Sequence, residues 1–270
     1  MKYVDTHAHL NLAQFDDDRA AVFAACAAQG VGVINVGTRQ ATSTLAVALA
    51  HQYENAWAVV GVHPCSVIDV DPDDHGARVA EPVFDYDFYH PLATDPKTVA
   101  IGECGFDYYH NADDTYEQQR EVFLAQIALA NSVGKPLMLH LRNSPHVGGR
   151  NAYNDALEVL RSEAKVAGNA HFYAGTIDQA KQFFDLGYTI SFTGVITFAK
   201  PYRELVEYAP LDLIHGETDC PYVAPVPHRG QRCEPWMVQE VYKMIAELKG
   251  EDAEKVREQL LQTAQRLYGI

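Results

Sequence analysis

Two histidines two residues apart stand near the start of the sequence. His7 and His9 lie in the short segment KYVDTHAHL, which begins at Lys2. In a β-strand, residues i and i+2 face the same side, so the two imidazoles would point in one direction together. A single histidine on an apolar strand is usually a satisfied core residue. The pair, preceded by Asp5, instead indicates a site that binds a metal ion.

Further ionisable residues stand at the ends of later apolar segments. They are His63 in GVHP, Glu103 and Asp107 in GECGFD, His140 and Arg142 in LHLR, His171 in NAHFY, and Glu217 and Asp219 in GETD. Burying charged groups is costly unless they are paired or bound to a metal. One shared cation site would satisfy all of these residues together.

The expected ligands exceed the needs of one tetrahedral ion. They are four imidazoles and two carboxylates, from His7, His9, Glu103, His140, His171 and Asp219. Such a set suits two divalent ions that share a bridging carboxylate, and paired ions clamp the attacking and leaving oxygens of a hydrolysis. Imidazole suits zinc and carboxylate suits magnesium or manganese, so the sequence leaves Mg, Mn and Zn open.

Eight short apolar segments, rich in Val and Ile, alternate with amphipathic segments. The apolar segments begin at Lys2, Val31, Ala56, Thr98, Lys135, Asn169, Tyr188 and Leu211. The helical segments are Arg19–Gln29, Ser43–Gln52, Thr115–Val133, Tyr153–Glu163, Ile177–Leu186, Glu234–Leu248 and Glu251–Leu267. This alternation is typical of parallel α/β folds. It predicts a (β/α)8 TIM-type barrel over a single domain, residues 1–270, with the active site at the C-terminal strand ends.

An open, doubly wound sheet is compatible with the same pattern, but no GxGxxG motif follows the first strand. The segment Ile68–Asp95 fits the alternation least. We interpret it as a long excursion after the third strand, either over the mouth of the site or as a surface loop without a role.

The balance of charge limits the classes of function. Asp and Glu number 36 against 21 Lys and Arg, a net charge of −15. This charge argues against a protein that coats DNA nonspecifically, although a local basic patch and bound cations would still allow a nucleic-acid enzyme. The five cysteines contain no CxxC pair, and no signal peptide or long apolar run is present. We therefore expect a cytoplasmic protein without a membrane contact, monomeric or weakly oligomeric.

Eight motifs resemble those of the TatD-type deoxyribonuclease family, within the wider amidohydrolase-like barrels. The matching segments are DTHAHL, GVHP, AIGECGFDYY, LHLR, HFYAG, ISFTGVITF, ETDCPY and APVPHRGQRCEP, in the family's order across nearly the whole chain. HxH alone is shared by many such enzymes, whereas GVHP, ETDxP and PxRG together are much more specific. The family pattern differs here at three places, which hold Asn143, Ala174, and the two residues Gln231 and Cys233.

The resemblance implies a role for each residue of the site. His7, His9 and Asp219 would hold one ion, His140 and His171 the other, and Glu103 would bridge them. His63 would bind the scissile phosphate or donate a proton, and Asp219 would also orient or deprotonate the nucleophile. Glu217, Arg229 and Arg142 would support the site and the substrate.

The implied activity is that of a metal-dependent deoxyribonuclease, a 3′-5′ exonuclease on single-stranded ends that uses a metal-activated water. Two alternatives stay open. The same metal site could serve an ester or amide hydrolase acting on aminoacylated RNA or a small molecule, and a barrel without catalysis could serve as a binding protein.

Overall fold

Eight parallel strands pair in sequence order in the computed structural model, which describes residues 1–68 and 80–270. The strands are β1 (Tyr3–Ala8), β2 (Val31–Val36), β3 (Ala56–Val60), β4 (Thr98–Asp107), β5 (Leu137–Arg142), β6 (Gly168–Ala170), β7 (Thr189–Phe192) and β8 (Ile214–Gly216). The predicted TIM-type barrel is thereby confirmed.

Helices follow the strands and cover the barrel. They are α1 (Arg19–Ala28), α2 (Gln40–Gln52), α3 (Pro64–Ile68), α4 (Tyr86–Thr94), α5 (Tyr116–Val133), α6 (Ala152–Glu163), α7 (Ile177–Asp185), α8 (Arg203–Tyr208), α9 (Val238–Lys249) and α10 (Ala253–Tyr268). Short 3-10 turns lie between several of them, and those at Leu211–Leu213 and Pro235–Met237 lead into β8 and α9.

The strands are buried on both faces. All six residues of β2 and all ten residues of β4 are buried, as expected for a parallel sheet whose outer face is covered by helices. Each helix buries one stripe of apolar side chains. In α9, for example, Val238, Val241 and Ile245 are buried, and the spacing of three and four residues places them on one side.

The junction between β1 and the segment that follows β8 closes the barrel; we call this junction the seam. The backbone N–H of Asp219 donates to the carbonyl of His7 at 2.9 Å, and that of His9 donates to the carbonyl of Cys220 at 3.0 Å. Below them, the Asp5 carboxylate accepts hydrogen bonds from the backbone N–H of Thr218 at 2.8 Å and from its hydroxyl at 2.5 Å.

The predicted element boundaries are correct to within a few residues. The last strand begins at Ile214, and β6 ends at Ala170, so Glu217, Asp219 and His171 lie just beyond the strands. The second helix begins at Gln40, three residues before the predicted start.

The excursion Ile68–Asp95 contains a helix in its second half, so the alternative of a plain surface loop is wrong there, as is its placement over the mouth of the site. Residues 86–94 form α4, whose first turn is capped by the Asp85 side chain accepting from the backbone N–H of Phe88 at 3.1 Å. The Tyr89 hydroxyl donates to Glu81 at 2.9 Å, and Glu81 also accepts from the backbone N–H of Gln40. This part of the chain packs beside α2 and does not line the mouth of the barrel. Residues 69–79 lie outside the described part of the chain.

Among the described residues, no helix is both long and apolar enough to cross a membrane.

His215 on β8 makes the stability of the fold depend on pH. The ring is buried and its Nε2 contacts the Thr189 hydroxyl at 2.9 Å. Burial, together with the charge of Arg266, lowers the pKa of His215 from 6.5 to about 3. Between these values the unfolded chain binds a proton that the folded chain does not, so the stability due to this ring falls as pH falls.

We expect His215 to destabilise the folded state by about 2 kcal/mol at pH 5 relative to pH 8, since each pKa unit corresponds to about 1.36 kcal/mol. Urea unfolding at pH 8 and at pH 5 measures this. The difference between the two pH values should shrink by that amount in His215→Gln. An equal pH dependence in the variant and the wild type would contradict the assignment.

Candidate metal centre and its cleft

Seven of the predicted site residues meet at the C-terminal ends of the strands. His7 lies on β1, Glu103 on β4 and His140 on β5, and the others follow strands directly: His9, His63, His171 and Asp219. Both ends of the chain therefore contribute to one centre.

The Glu103 carboxylate lies at the middle of this centre. Its Oε2 is 3.4 Å from His7 Nε2 and 3.9 Å from His9 Nε2. Its other oxygen, Oε1, is 2.9 Å from His140 Nδ1 and 2.7 Å from His171 Nε2. The two oxygens of one side chain thus face two different groups of donors.

His7, His9 and Asp219 form the first group. Asp219 Oδ1 lies 3.4 Å from His9 Nε2 and 3.7 Å from His7 Nε2, and the two Nε2 atoms are 3.0 Å apart. His9 Nδ1 donates to the carbonyl of Val36 at 3.0 Å. This contact fixes the ring so that the Nε2 lone pair faces the centre.

His140 and His171 form the second group, and each has a carboxylate behind it. His140 Nε2 donates to Asp107 Oδ2 at 2.9 Å, so its Nδ1 faces Glu103. His171 Nδ1 lies 3.6 Å from Glu217 Oε1. Carboxylates placed behind imidazoles orient the rings and raise their basicity toward a metal.

Gly105 allows β4 and β5 to approach closely at this point. Its φ of +133° is unfavourable for other residues, and a Cβ there would clash with the carbonyl oxygen of His140. The glycine therefore keeps His140 beside both Glu103 and Asp107.

The charges of the centre shift its pKa values strongly. Burial alone would raise the pKa of Glu103, but the charges of His171, His7 and His63 lower it well below its usual range. Burial opposes protonation of His140, yet hydrogen bonds to Asp107 and Glu103 raise its pKa to about 9. The pKa of His171 is raised in the same way, chiefly by Glu103 against burial. The carboxylates thus attract positive charge into the centre.

The donor set fits a metal cation. Three buried polar atoms of the centre lack a hydrogen-bond partner: His7 Nδ1, His171 Nδ1 and Glu217 Oε2. Among the described residues, each central group of three ligand atoms within 4.8 Å of one another consists of two imidazole nitrogens and one carboxylate oxygen. Such mixed nitrogen and oxygen sets bind divalent transition metals. The groups His7–His9–Asp219 and His140–His171–Glu103 could each hold one.

A cleft of about 200 Å³ opens onto these groups. Beside the centre it is lined by Thr38, Leu12, Arg142, Leu141, Ala174 and three aromatic residues, Phe172, Tyr202 and Tyr222. The Arg142 guanidinium is exposed and lies 4.0 Å above the ring of Tyr109. It places one positive charge at the edge of the cleft.

Two expected substrate contacts lie elsewhere. Glu217 is fully buried behind His171, where its Oε1 accepts from the backbone N–H of Phe172 at 2.6 Å. It therefore positions His171 and cannot reach a substrate. Arg229 does not line the cleft; it donates to the carbonyl of Ala224, and its guanidinium lies 4.0 Å from the ring of Phe198.

Two residues of the site have left-handed backbone conformations. The φ angles of Phe172 and Asp219 are 43° and 58°. Such angles cost free energy for residues other than glycine, and they are found where a site requires a particular direction of the side chain. Both directly follow strands, and they turn the chain so that His171 and Asp219 face the centre.

Sequence reasoning did not assign roles to Asp107 and Tyr202. A signal for Asp107 exists, because residues 103 and 107 of one strand face the same side. Asp107 is therefore expected near the ligands that surround Glu103. Tyr202 comes from the connection before α8, and no pattern in the sequence brings that connection to the cleft.

The two cysteines adjacent to expected ligands face away from the centre. Cys104 and Cys220 are fully buried, and the Cys104 thiol donates to the carbonyl of Met138. Burial raises the pKa of both thiols well above its usual value. They are core residues.

Comparisons with known proteins agree with this geometry. The sequence profile of the family described as TatD related DNase matches residues 4–269. The chain is 35% identical to an uncharacterized metal-dependent hydrolase, YabD, from Bacillus subtilis, over 98% of both chains. It is 30% identical to the 3′-5′ ssDNA/RNA exonuclease TatD of Klebsiella pneumoniae, over 98% of this chain and 97% of the relative.

Among solved structures, the crystal structure of YjjV, a TatD homologue from Escherichia coli K12, superposes with a TM-score of 0.83 at 26% identity, covering 100% of this chain and 98% of YjjV. Profile, relatives and structure match over nearly the whole chain. The protein belongs to the TatD related DNase family of metal-dependent hydrolases.

Proposed function

We propose that this protein is a metal-dependent exonuclease that removes nucleotides from the 3′ ends of single-stranded DNA, with two divalent ions bridged by Glu103. The observation that carries the proposal is the position of Glu103, whose Oε2 faces His7 and His9 while its Oε1 faces His140 and His171. In the first group Asp219 completes the ligands. Mg, Mn and Zn remain the candidate metals.

When bound, two divalent ions would supply a water of lowered pKa and positive charge for the phosphoryl oxygens. The chain itself would supply the acceptor for the nucleophile's proton. Burial would raise the pKa of Asp219, but the hydrogen bond to His9 and the charges of His7 and His171 lower it. Asp219 is thus an ionised carboxylate, on the wall of the cleft, that can orient a water and accept its proton.

His63 is suited to donate a hydrogen bond to the leaving oxygen or to a phosphoryl oxygen. Its Nδ1 accepts a hydrogen bond from the backbone N–H of Cys65 at 3.2 Å, so the neutral ring carries its proton on Nε2. This Nε2 lies 3.6 Å from Glu103 Oε1, and the ring lines the cleft. This Nε2–H therefore lies beside the position at which a phosphodiester would contact the two groups of metal ligands.

The cleft favours an unpaired strand end. Its volume of about 200 Å³ is too small to admit a duplex, so only part of a single strand, such as its terminal nucleotide, could enter. Phe172, Tyr202 and Tyr222 offer rings for stacking with a base, worth about 1–3 kcal/mol per base. Arg142 offers a charge for a backbone phosphate. Arg229 could contact a longer strand from outside the cleft.

Two further observations support the proposal. The K. pneumoniae relative is named a 3′-5′ exonuclease on single-stranded DNA and RNA. The five cysteines are buried thiols without disulfides, which suits action in a reducing compartment such as the cytoplasm.

We predict that the metal-loaded protein shortens single-stranded DNA labelled at its 5′ end, in a ladder of products, and that EDTA stops the reaction. Asp219→Asn should lower the rate by at least about 100-fold, the usual scale of a general base. Denaturing gels with Mg, Mn or Zn measure both. The exposed Asp212→Asn is the matched control and should keep full activity. If the DNA stays intact with every metal while esters or lactones are hydrolysed, the site is that of a carbonyl hydrolase instead.

A second prediction separates His63 from the metal ligands. His63→Gln should lower kcat by about 10- to 100-fold because the hydrogen bond placed by the imidazole ring is lost, while the metal content of the purified protein stays that of the wild type. Steady-state kinetics and elemental analysis of the same sample measure the two. The exposed His51→Gln on α2 serves as control. Loss of metal in His63→Gln would show that His63 is a ligand.

A third prediction concerns the carboxylate behind His140. Asp107→Asn should weaken binding of metal to the His140–His171 group by about 10- to 100-fold, the usual effect of removing such a partner. Calorimetric titration of the metal-free protein measures this affinity. Asp155→Asn is a suitable control, because Asp155 binds Tyr108 and Arg150 nearby and does not contact the centre. Unchanged affinity in Asp107→Asn would contradict the role of this hydrogen bond.

A further inference from the structure

A second cluster of metal-binding side chains lies beside the centre, on the outer side of His140. It consists of Cys65 at the start of α3, Asp107 at the end of β4, and His110 three residues later. Cys65 Sγ is 3.7 Å from His110 Nδ1, and His110 Nδ1 is 3.1 Å from Asp107 Oδ2. One ligand atom from each of the three residues lies within 4.8 Å of the others. None of these residues belongs to the proposed pair of ion-binding groups.

The spacing of these atoms suits one tetrahedral ion. Around zinc, with bonds of about 2.3 Å to sulfur and about 2.0–2.2 Å to nitrogen and oxygen, neighbouring donors lie about 3.4–3.6 Å apart. The two measured distances, 3.7 and 3.1 Å, bracket this range. Shifts of a few tenths of an ångström would complete the site.

The backbone already holds the carboxylate in place. Asp107 Oδ1 accepts hydrogen bonds from the backbone N–H groups of Tyr109 and His110, each at 2.8 Å. Oδ2 faces His110 and His140. Asp107 is fully buried and Cys65 nearly so, whereas a quarter of the His110 side chain is exposed. An ion could therefore enter past His110 and keep a water on its open side.

We propose that Cys65, Asp107 and His110 bind one zinc ion, at a site separate from the central metal groups, with water as the fourth ligand. A thiolate with an imidazole selects zinc over magnesium and manganese. On binding, the Cys65 thiol releases its proton to solvent. The His110 ring ligates through Nδ1, and its proton moves to Nε2. The hydrogen bond from His140 to Asp107 is retained, since a carboxylate oxygen can accept it and bind an ion.

The thiolate makes this site distinguishable from the centre. The central groups consist of imidazoles and carboxylates among the described residues, and Cys104 and Cys220 face the core. Cobalt(II) bound to a thiolate gives an intense charge-transfer absorption in the near ultraviolet, which imidazole and carboxylate ligands do not give. Cobalt therefore reports the Cys65 site alone, whatever reaction the centre performs.

The test is a titration of the metal-free, full-length protein with cobalt(II), followed by zinc. We expect a thiolate-to-cobalt band whose full amplitude corresponds to one thiolate-bound cobalt per chain, whether it develops before or after the central groups fill, and which disappears when zinc displaces the cobalt. Cys65→Ser should abolish the band and lower the bound zinc by one ion per chain. Cys26→Ala, a change of another buried cysteine, on α1, is the matched control and should keep both.

His110→Ala is the second variant, in case Cys65→Ser does not fold. It should weaken cobalt binding in the thiolate band by at least about 10-fold, in the range found for loss of a supporting or direct ligand. Absence of the band in the wild type would overturn the proposal. So would a band that persists at unchanged affinity in either Cys65→Ser or His110→Ala.

Discussion

The arrangement of the centre depends on one buried carboxylate. Glu103 is almost completely inaccessible, and a carboxylate in such a place is tolerated only when positive charge surrounds it. Five imidazoles surround it at 2.7–3.9 Å, two of them at Oε2 and three, with His63, at Oε1. Because the two oxygens point in different directions, the same constraint divides the imidazoles into two groups. Removing the charge of Glu103 would leave both groups without a common partner.

A second layer of contacts gives each imidazole its direction. The carbonyl of Val36 holds His9, Asp107 holds His140, and Glu217 stands behind His171. At His9 and His140 a hydrogen bond occupies the ring nitrogen that faces away from the centre, so the other nitrogen faces the ligands; at His171 the carboxylate of Glu217 lies 3.6 Å from that outer nitrogen. These contacts come from the barrel itself, so they orient together side chains that come from six strands or strand ends.

The sequence predicted the barrel and the ligands because both leave periodic or local signals. Apolar segments mark the strands, and the spacing of His7 and His9 indicates that both face the same side.

The features that the sequence did not predict depend on contacts between distant segments. Tyr202 reaches the cleft from a connection without any pattern, and Glu217 was expected near the substrate because the motif ETDCPY does not reveal which carboxylate turns inward. The sequence of residues 86–94 shows aromatic and acidic residues without a helical pattern. Packing against α2 and the cap at Asp85 nevertheless stabilise a helix there.

The seam has a consequence for the order in which the metal centre forms during synthesis on the ribosome. His7 and His9 are synthesised more than 200 residues before Asp219, yet the three meet across the seam. An emerging chain therefore holds its first pair of histidines without the carboxylate that completes their group. The metal-binding groups can assemble only after β8 has joined β1, so a nascent or prematurely terminated chain lacks a complete hydrolytic centre.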